Sequence, residues 1–302
     1  MSSNQNPKIS VITPSLNTGK YLRETIESIN SQTFQDFEHI VVDGGSTDDT
    51  VDILKSYPQI RWISEKETDE NTILEAYRKA FAMSRGKYII QCCVSDGFLS
   101  KKWFKMCSDV LDSDNEIALV YGLAQYMAED GSLGKIVNSE FLDRMPPQKK
   151  DFFPNWLAYG HGFPEGNYCV RREIFDKCFS QRNSTELMDK SPHLAFLYNF
   201  HTNGYLAYFL SAVANFGRWH PNQRGQAFYE QENNIYNLYK DMTRKYRKSI
   251  LQGNVTHYFR NGLSEIIDEV KKGELGRIRR KMFVYYLKYK IRKRLLEILE
   301  RL

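Results

Sequence analysis

The stretch IVVDGGSTDDT, residues 40–50, decides the fold of this chain. Its first three residues are apolar and β-branched, which is typical of a buried strand. Asp43 and two glycines then end the strand. The acidic pair Asp48 and Asp49 follows, where the N-terminus of a helix favours negative charge. The stretch therefore predicts a strand, a polar loop and a helix over 51–56 in direct succession.

The same succession recurs on both sides of this stretch. Apolar, β-branched runs predict the strands, and apolar residues spaced by three and four predict the helices. Strands are predicted at 9–12, 39–42, 61–64 and 87–94, and helices at 22–29, 51–56 and 72–84. Strands that alternate with helices form a parallel sheet with crossover helices, so the fold class is α/β.

Polar residues follow the ends of these strands. Thr13, Asp43, Glu65 and Asp96 each come just after a predicted strand. Ligands of parallel sheets bind beyond the carboxyl ends of the strands. We therefore expect these four side chains to converge on one ligand site.

The pattern is less regular beyond residue 100. Strand is predicted over 116–137 with a tight turn at Asp130-Gly131, and helices are predicted at 172–179 and 191–201. The segment 152–164 is aromatic and rich in turn residues, which is typical of a loop over a site. From Gln226 onward the pattern predicts helix to the end of the chain.

Composition and charge exclude several classes of protein. The net charge of the 302 residues is +5, but the segment from Lys271 onward carries +9, so the rest is mildly acidic. That distribution argues against a nucleic-acid-binding body. The five cysteines are odd in number and include no CxxC pair, which disfavours a disulfide framework and a zinc site. We see no signal peptide and no run of about 20 apolar residues, so we expect a cytoplasmic protein.

Several of these segments resemble family 2 glycosyltransferases of the GT-A fold. The resemblance is most specific in ISVITPSLN at 9–17 and in the stretch at 40–50, which are similar to the family's first two strands and their loops. It covers roughly residues 8–225. The other matching segments are 62–65, 76–86, 120–122, Arg171-Arg172, 214–216 and His220. The first turn, TPSLNTG, lacks the GxGxxG phosphate loop of dinucleotide enzymes.

The resemblance implies both a fold and an activity. The fold would be a Rossmann-like, mixed, mostly parallel sheet flanked by helices. Residues 1–225 would form the nucleotide-sugar-binding and catalytic domain, and 226–302 a basic helical extension. The activity would be transfer of a sugar from a nucleoside diphosphate, UDP being the expected one, to a glycan or lipid-linked acceptor with inversion. The alternative is a catalytically weak subunit that binds nucleotide sugars or glycans in a polysaccharide-synthesis assembly.

The resemblance places the donor-binding residues in the loops after the first four strands. A carboxylate at Asp43 can accept the imide N–H of uracil or a ribose hydroxyl. Alternatively, Asp43 caps its own turn, and Glu65 caps a helix or forms a surface ion pair. For Ser46, Thr47 and Asp48, local turn and helix capping is the favoured interpretation. The implied donor-binding residues are Thr13, Pro14, Ser15, Asn17, Asp43, Gly45, Ser46, Glu65, Ser95 and Asp96.

The family's metal signature, Asp-x-Asp, is incomplete in this chain. The segment reads VSDG at 94–97, so Asp96 is its one carboxylate. Since Mg²⁺ often takes only one or two carboxylates from a protein, Asp96 can still hold Mg²⁺ or Mn²⁺ on the diphosphate. His220 is a second candidate ligand. The alternatives are a structural turn at Asp96, metal-free diphosphate binding and a structural histidine.

The catalytic base of inverting relatives is a carboxylate that opens a helix, and here its place is ambiguous. Counting back from Gly204 puts His193 in that position, whereas the Met-Asp pair points to Asp189. Pro192 suits the first position of a helix, which would make Asp189 precede it. Asp189 is the preferred catalytic residue, His193 is the other candidate, and Glu186 or the absence of a base are further alternatives.

The C-terminal segment has the pattern of a basic amphipathic helix. Its apolar residues recur at three- and four-residue spacing, at Val284, Leu287, Ile291, Leu295, Ile298 and Leu302. Lysines and arginines occupy the other faces, which is typical of a helix lying on an anionic membrane. We expect peripheral association with the inner face of the cell membrane. The alternative is packing on the body or on a second copy, which leaves a homo-oligomer open.

Overall fold

A computed structural model describes most of the chain. It covers residues 6–66, 72–137, 153, 156, 167–180, 185–220 and 233–271, and positions 273, 276, 280, 283, 284, 287, 291 and 294. The strands are β1 Ile9–Ser15, β2 Phe37–Asp43, β3 Arg61–Ser64, β4 Tyr88–Gln91, β5 Gly97–Phe98, β6 Ile117–Met127, β7 Leu133–Val137, β8 Tyr168–Arg171, β9 Leu206–Arg218, β10 Tyr258–Arg260 and β11 Ile266–Glu269. The helices are α1 Gly19–Asn30, α2 Thr50–Lys55, α3 Thr72–Met83, α4 Trp103–Ser113, α5 Arg172–Ser180, α6 Thr185–Lys190, α7 Pro192–Thr202 and α8 Asn233–Gln252.

The described strands β1 to β9 form one mixed sheet. Its order is β3-β2-β1-β4-β8-β6-β9-β5, with β7 paired to β6. The pairings β1–β2, β2–β3, β1–β4 and β6–β9 are parallel, whereas β8, β5 and β7 each run antiparallel to their neighbours. Six of these nine strands therefore point the same way, and their carboxyl ends share one edge of the sheet.

Helices cover both faces of this sheet. On one face α1 and α4 contribute Ile29, Trp103 and Phe104 to a cluster of buried side chains. On the other face α3, α5 and α7 contribute residues such as Tyr77, Phe175 and Phe196 to a larger buried cluster. The sheet thus lies between two apolar layers, and its loops at the carboxyl edge carry the polar residues.

The predicted elements of the N-terminal half agree with the structure to within a few residues, with one informative exception. The predicted strand at 87–94 ends at Gln91. The chain leaves the sheet there because Val94 turns into a separate apolar cluster with Leu22 and Ile26 of α1. The predicted strand over 116–137 divides into β6 and β7 around a turn in which Gly131 takes a φ of 87°.

The prediction of helix from Gln226 to the end is wrong over 258–269, where β10 and β11 form an antiparallel pair. The overlooked signal is the dipeptide Asn261-Gly262. The Asn261 side-chain oxygen accepts the amides of Leu263 and Glu265, both at 2.9 Å, and so closes the turn. The division at residue 225 stays a prediction.

The segment after residue 232 packs on the body of the protein. Trp156 donates its indole N–H to the Tyr239 hydroxyl of α8 at 2.5 Å, and the Arg260 amide donates to the Gly204 carbonyl at 2.9 Å. Of the predicted aromatic loop at 152–164, only Phe153 and Trp156 are described, and both are helical and buried. Within the described ranges we find no helix long and apolar enough to cross a bilayer.

Candidate active site

The carboxyl edge of the sheet gathers the loops that follow β1, β2, β4, β6 and β9. Ser15 and Asp43 end neighbouring strands and are paired in register. Asp96 precedes β5, which runs in the opposite direction, so it too lies at this edge. Trp219 and His220 continue from the end of β9.

Of the four residues predicted to converge, Asp43, Glu65 and Asp96 reach this edge. Thr13 does not follow the strand as predicted, because β1 continues to Ser15 and Thr13 is paired with Val41 inside it. That these residues form one ligand site stays a prediction.

Asp43 is fully buried and is held by its own loop. Its Oδ2 accepts the amides of Gly45 and Ser46 at 3.1 and 3.0 Å and the Ser64 hydroxyl at 2.6 Å. Its Oδ1 accepts the Ser46 hydroxyl. The turn-capping interpretation of Asp43 thus describes part of its role. One lone pair of Oδ1 has no donor among these four bonds and could receive a ligand N–H or O–H.

Two further side chains join the β1 and β2 loops. Asn17, whose φ is 51°, donates its amide to Ser46 Oγ at 2.7 Å and accepts the Thr47 amide at 2.8 Å. Asp48 accepts the Gly19 amide at the start of α1 and the Thr50 amide at the start of α2, both at 3.0 Å. Burial alone would raise the pKa of Asp48, but its hydrogen bonds from Thr50 and Gly19 outweigh this and lower it. Ser46 and Asp48 therefore have the local capping roles favoured for them.

The last three residues of β1 differ in accessibility. Thr13 is fully buried, and its hydroxyl contacts His39 Nε2 at 3.0 Å. A donor contact by Thr13 stays a prediction. Burial lowers the pKa of His39 to about 3, which keeps this ring neutral. Pro14 is half-buried, and the Ser15 hydroxyl contacts the Thr18 hydroxyl at 2.7 Å.

Gly45 and Glu65 lie beside each other on the next loop. Gly45 has a φ of 83°, and a Cβ there would come within 2.9 Å of the Lys66 backbone, so the position requires glycine. The Glu65 amide donates to the Asp43 carbonyl at 2.9 Å. The exposed Glu65 carboxylate pairs with Lys79 of α3. The surface ion pair considered for Glu65 is therefore present, and a donor contact stays a prediction.

Ser95 and Asp96 form a strained corner between β4 and β5. Ser95 has a φ of 81°, a left-handed conformation that is unfavourable for serine and that often occurs at functional sites. The Thr25 hydroxyl of α1 donates to the Asp96 carbonyl at 2.7 Å, and the Arg218 amide donates to Asp96 Oδ1 at 3.1 Å. The corner thus directs the Asp96 carboxylate to the end of β9.

Arg218, which the sequence interpretation missed, organises this end of β9. Its guanidinium pairs with Glu24 of α1 and donates to the carbonyls of Ala128 and Glu129, both at 3.1 Å. The side chain is almost fully buried, and its Nε has no hydrogen-bond partner in the described structure. An arginine at the end of an otherwise apolar strand was the available signal, because buried arginines require partners.

His220 packs against α1 two residues later. Its ring lies 4.7 Å from the Tyr21 ring, centroid to centroid. Lys20 pairs with Glu129 at 2.5 Å beside it. Burial lowers the pKa of His220, and Lys20 and Arg218 add to this, while Glu129 opposes it. The imidazole is therefore neutral at pH 7, and its buried Nδ1 has no hydrogen-bond partner within the described residues.

The two candidates for the catalytic base lie in different surroundings. Asp189 is exposed in the last turn of α6 rather than in a loop. His193 lies in the first turn of α7, where Pro192 occupies the predicted first position and Ser191 caps the helix. Its ring stacks on Tyr168 at 6.2 Å, and the Tyr168 hydroxyl donates to Gln91 at the end of β4. The structure therefore connects His193 to the carboxyl edge of the sheet.

The donor set near Asp96 fits a divalent metal only with help from a substrate. The described residues include no group of three or more His, Cys, Asp or Glu side chains that could hold an ion. Asp96 offers a carboxylate, and His220 offers a neutral imidazole with an unpartnered buried nitrogen. One carboxylate and one imidazole suit Mn²⁺ better than Mg²⁺, with phosphate oxygens and water completing the shell.

The mixed, mostly parallel sheet between two helical layers, with carboxylates at its carboxyl edge, has the architecture of the GT-A fold. Comparison with known families agrees: the model of Glycosyl transferase family 2 matches residues 10–179, and the chain belongs to that family. The expectations of this family, of its fold and of a glycosyltransferase as the class of enzyme are confirmed.

Known relatives share part of the chain. It is 35% identical to the chondroitin synthase of Escherichia coli over 131 residues, which are 42% of this chain and 18% of that protein. It is 30% identical to a PGL/p-HBAD biosynthesis glycosyltransferase of Mycobacterium bovis over 119 residues, 38% of this chain and 46% of that one. The matches thus span less than half the length of either relative.

Solved structures share the fold. The crystal structure of S. aureus TarS 1-349 superposes with a TM-score of 0.55 at 16% identity, covering 90% of this chain and 69% of that one. The same protein in complex with UDP-GlcNAc also gives a TM-score of 0.55, covering 91% and 71%.

Proposed function

We propose that this protein transfers a sugar from a UDP-sugar to a glycan or lipid-linked acceptor with inversion at the anomeric carbon. The observation that carries the proposal is the arrival of two carboxylates, Asp43 from β2 and Asp96 from the loop after β4, at one edge of the sheet. The choice of UDP is supported by the titles of two TarS structures, which name complexes with UDP and with UDP-GlcNAc.

Asp43 is the proposed contact to the base. Its carboxylate accepts four hydrogen bonds from its own and neighbouring loops, which fix its orientation before a ligand arrives. The remaining lone pair of Oδ1 would accept the imide N–H of uracil. A carboxylate accepts hydrogen bonds but cannot donate one. This geometry therefore favours uracil over a base such as cytosine, whose ring nitrogen at the imide position presents a lone pair.

Asp96 and His220 are the proposed protein ligands of a divalent cation. When bound, such a cation offsets the charge that develops on the departing diphosphate. The strained Ser95 backbone and the Arg218 amide fix the Asp96 carboxylate, and burial keeps His220 neutral and able to ligate. Arg218 itself is committed to Glu24 and two carbonyls, so we assign it to positioning rather than to the diphosphate.

His193 is the proposed general base, with Asp189 as the alternative. The Tyr168 ring stacks on the His193 ring, and the Tyr168 hydroxyl donates a hydrogen bond to Gln91. Gln91 is the last residue of β4 and comes five residues before Asp96 in the sequence. A positioned imidazole can remove the proton of an acceptor hydroxyl as that oxygen attacks the anomeric carbon. Asp189 lies exposed on the neighbouring helix α6, and nothing described connects it to the sheet edge.

The basic C-terminal segment is the proposed contact to an anionic membrane. Its described apolar side chains, Phe283, Val284, Leu287 and Ile291, are each about half exposed or more, and these positions are helical. The lysines between them and the arginines that follow Ile291 would interact with anionic headgroups, while the apolar side chains enter the headgroup region. This arrangement would bring the active site to a lipid-linked acceptor.

A thermal-shift panel tests the donor proposal. The panel contains UDP, CDP, GDP and TDP with their common sugars, each with Mn²⁺, with Mg²⁺ and with a chelator. A ligand that binds only the folded state raises the melting temperature, so we expect the largest shift for a UDP compound with Mn²⁺. CDP is the discriminating nucleotide, because cytosine presents a lone pair at N3 in place of the imide N–H of uracil. A shift with CDP as large as the shift with UDP would contradict the role given to Asp43.

Turnover of the donor separates an enzyme from a subunit that only binds. We expect the wild-type protein to hydrolyse its UDP-sugar slowly in the absence of acceptor. His193→Ala and Asp189→Asn are then compared with the wild type at saturating donor. Loss of a general base lowers turnover about 100-fold or more. If only Asp189→Asn shows that loss, the assignment of His193 is wrong.

A further inference from the structure

The end of β9 carries an exposed aromatic surface that the donor site does not use. Trp219 is 47% exposed and Tyr126, near the end of β6, is 41% exposed. β6 and β9 are parallel, with Tyr126 opposite Gly217. Trp219 follows Gly217 by two residues, so both residues lie on the same side of the strand as Tyr126.

This aromatic surface adjoins Asp96. Gly97 pairs with Phe216 in the antiparallel β5–β9 ladder, which places Asp96 opposite Gly217. A Cβ added to Gly217 would have Asp96 Oδ1 as its nearest neighbour, at 3.9 Å. Gly217 therefore leaves an open floor bounded by Tyr126 on one side, Asp96 on the other and Trp219 along the strand.

The opposite side of β9 is already filled. Phe216 and Arg218 lie on that side, and the Arg218 guanidinium packs over the Tyr21 ring of α1 at 5.3 Å. The aromatic surface consequently faces away from α1, toward the layer that contains α7 and His193. A group bound on it would lie beside Asp96, on the face of the sheet that α7 covers.

The chemistry of this surface matches a sugar ring. The axial C–H groups of a pyranose form an apolar face that stacks on indole and phenol rings, while its hydroxyls need polar partners at the edge. The Lys135 ammonium, 5.9 Å from the centre of the Tyr126 ring, is one such partner. An extended apolar ligand would find no deep pocket here, because the floor is a strand with a glycine.

We propose that Tyr126, Gly217 and Trp219 form the subsite for the acceptor's terminal sugar. This inference rests on the proposed transferase function and specifies its acceptor as a glycan. The nucleoside is expected at Asp43 on β2, so a ring stacked on Trp219 lies on the other side of Asp96 from the base. Asp96 would thus stand between the donor diphosphate and the acceptor.

Two variants test the subsite, one by removing an aromatic ring and the other by filling the space at Gly217. Trp219→Ala removes the stacking surface, and Gly217→Val fills the floor with a side chain that suits a strand and whose Cβ would have ordinary contact distances. Leu263→Ala is the matched control, because Leu263 is exposed but lies next to Asn115 at the amino end of β6.

Binding is measured with three oligosaccharide probes: N-acetylchitotetraose, maltohexaose and a hyaluronan hexasaccharide. Affinity is measured by isothermal titration calorimetry, because Trp219→Ala removes the fluorophore. In the wild type and the control, bound sugar should also protect Trp219 from iodide quenching of its fluorescence. We expect at least one probe to protect the wild type and the control, and its affinity to fall roughly tenfold in both variants, corresponding to the loss of one aromatic stacking contact. Failure of all three probes to bind the wild type, or binding of the probes by both variants as tightly as by the wild type, overturns the proposal.

Measurements of UDP-sugar binding and hydrolysis show whether a negative result contradicts the transferase function or only the sugar subsite. In Trp219→Ala the thermal shift with the UDP-sugar and its slow hydrolysis should equal those of the wild type. Gly217→Val is compared in probe binding alone, because its Cβ would lie 3.9 Å from Oδ1 of Asp96, the proposed metal ligand. If the wild type itself shows neither, the transferase function is wrong. If the wild type shows both and the variants bind the probes normally, only the sugar subsite is wrong.

Discussion

At the scale of single residues, Asp43 combines a structural and a proposed ligand-binding role. The sequence raised both, and the structure shows the structural one directly through four accepted hydrogen bonds. Periodicity and loop composition could predict that a carboxylate would stand at this strand end. They could not predict that the Ser64 hydroxyl of β3 would donate to the same Asp43 oxygen, Oδ2, as the two loop amides, because that contact depends on the register of β2 and β3.

The two roles of Asp43 can be separated by substitution. Asp43→Ala leaves two amides and two hydroxyls without their acceptor, and we expect it to lower the free energy of unfolding by about 2 to 3 kcal/mol. Asp43→Asn keeps one acceptor oxygen for the amides, so its stability should stay within about 1 kcal/mol of the wild type. Its NH₂ group would face the uracil imide N–H, so the thermal shift with UDP should be lost.

Urea denaturation and the UDP thermal shift measure these two effects. Asp52→Asn is the control, since Asp52 is an exposed acid that pairs only with Lys55 in the same helix. We expect it to change the free energy of unfolding by less than about 0.5 kcal/mol. A thermal shift with UDP in Asp43→Asn equal to that of the wild type would mean that Asp43 caps its turn and does not contact the base.

The proposed metal ligands make a prediction of their own. Asp96→Ala should abolish the part of the UDP-sugar shift that depends on Mn²⁺, whereas His220→Ala should raise the Mn²⁺ concentration needed for half of that shift about 10- to 100-fold. The readout is the melting temperature over a Mn²⁺ titration with constant UDP-sugar. Identical titrations for the wild type and His220→Ala would remove His220 from the site.

At the scale of secondary-structure elements, the C-terminal elements are joined to the body through buried histidines. His257, just before β10, contacts the Tyr246 hydroxyl of α8 at 2.7 Å and stacks on Phe153 with centroids 3.8 Å apart. The sequence predicted helix throughout this segment, because its apolar spacing is compatible with helix. The short hairpin that interrupts it depends on Asn261 and on the bond from Arg260 to Gly204, which no local pattern reveals.

This arrangement predicts how stability depends on pH. Burial, followed by the charge of Arg260, lowers the pKa of His257 from 6.5 to about 3. The unfolded chain takes up a proton as the pH falls below 6.5 and the folded chain does not, so stability declines toward acid. The decline is up to about 1.4 kcal/mol for each pH unit and each such histidine. His39, with a pKa lowered to about 3 by burial, contributes in the same direction.

Replacing His257 should weaken that dependence. His257→Phe keeps the stack on Phe153, and the Tyr246 hydroxyl can still donate to the Thr202 carbonyl. We expect a loss of about 1 kcal/mol at neutral pH from the lost hydrogen bond, and a shallower decline of the unfolding free energy between about pH 6 and pH 4. Parallel curves for the variant and the wild type in urea titrations at several pH values would contradict this role.

At the scale of the whole molecule, local sequence patterns predict the first half of the sheet but not the second, which depends on pairings between distant strands. The parallel arrangement of the first four strands and the location of the site at their carboxyl ends could be predicted from the first hundred residues, because each βα unit there is local in sequence. The second half of the sheet could not, since β5, β6, β8 and β9 join across long separations, such as Gly97 with Phe216. The aromatic surface at Trp219 and the contacts of Arg218 arise only from that pairing.

Positive charge is concentrated in the C-terminal segment of the chain. The segment from Lys271 onward carries +9, while the rest of the chain is mildly acidic. Each basic residue close to an anionic bilayer contributes about 1 kcal/mol, and the attraction is screened by salt. An acidic body would be repelled by the same surface, so the tail would both bind the membrane and set which end of the protein faces it.

Vesicle binding by the full chain tests this orientation. At low salt we expect vesicles that contain phosphatidylglycerol to retain the protein, and vesicles of phosphatidylcholine to release it, with retention lost as salt rises. Leu287→Ser combined with Ile291→Ser should weaken retention, because both exposed side chains would enter the headgroup region. Leu263→Ser, an exposed apolar position outside the tail, should have no effect. If neither vesicle retains the wild type while light scattering shows a dimer that the double variant loses, the apolar side chains join two copies of the chain, and the membrane proposal is wrong.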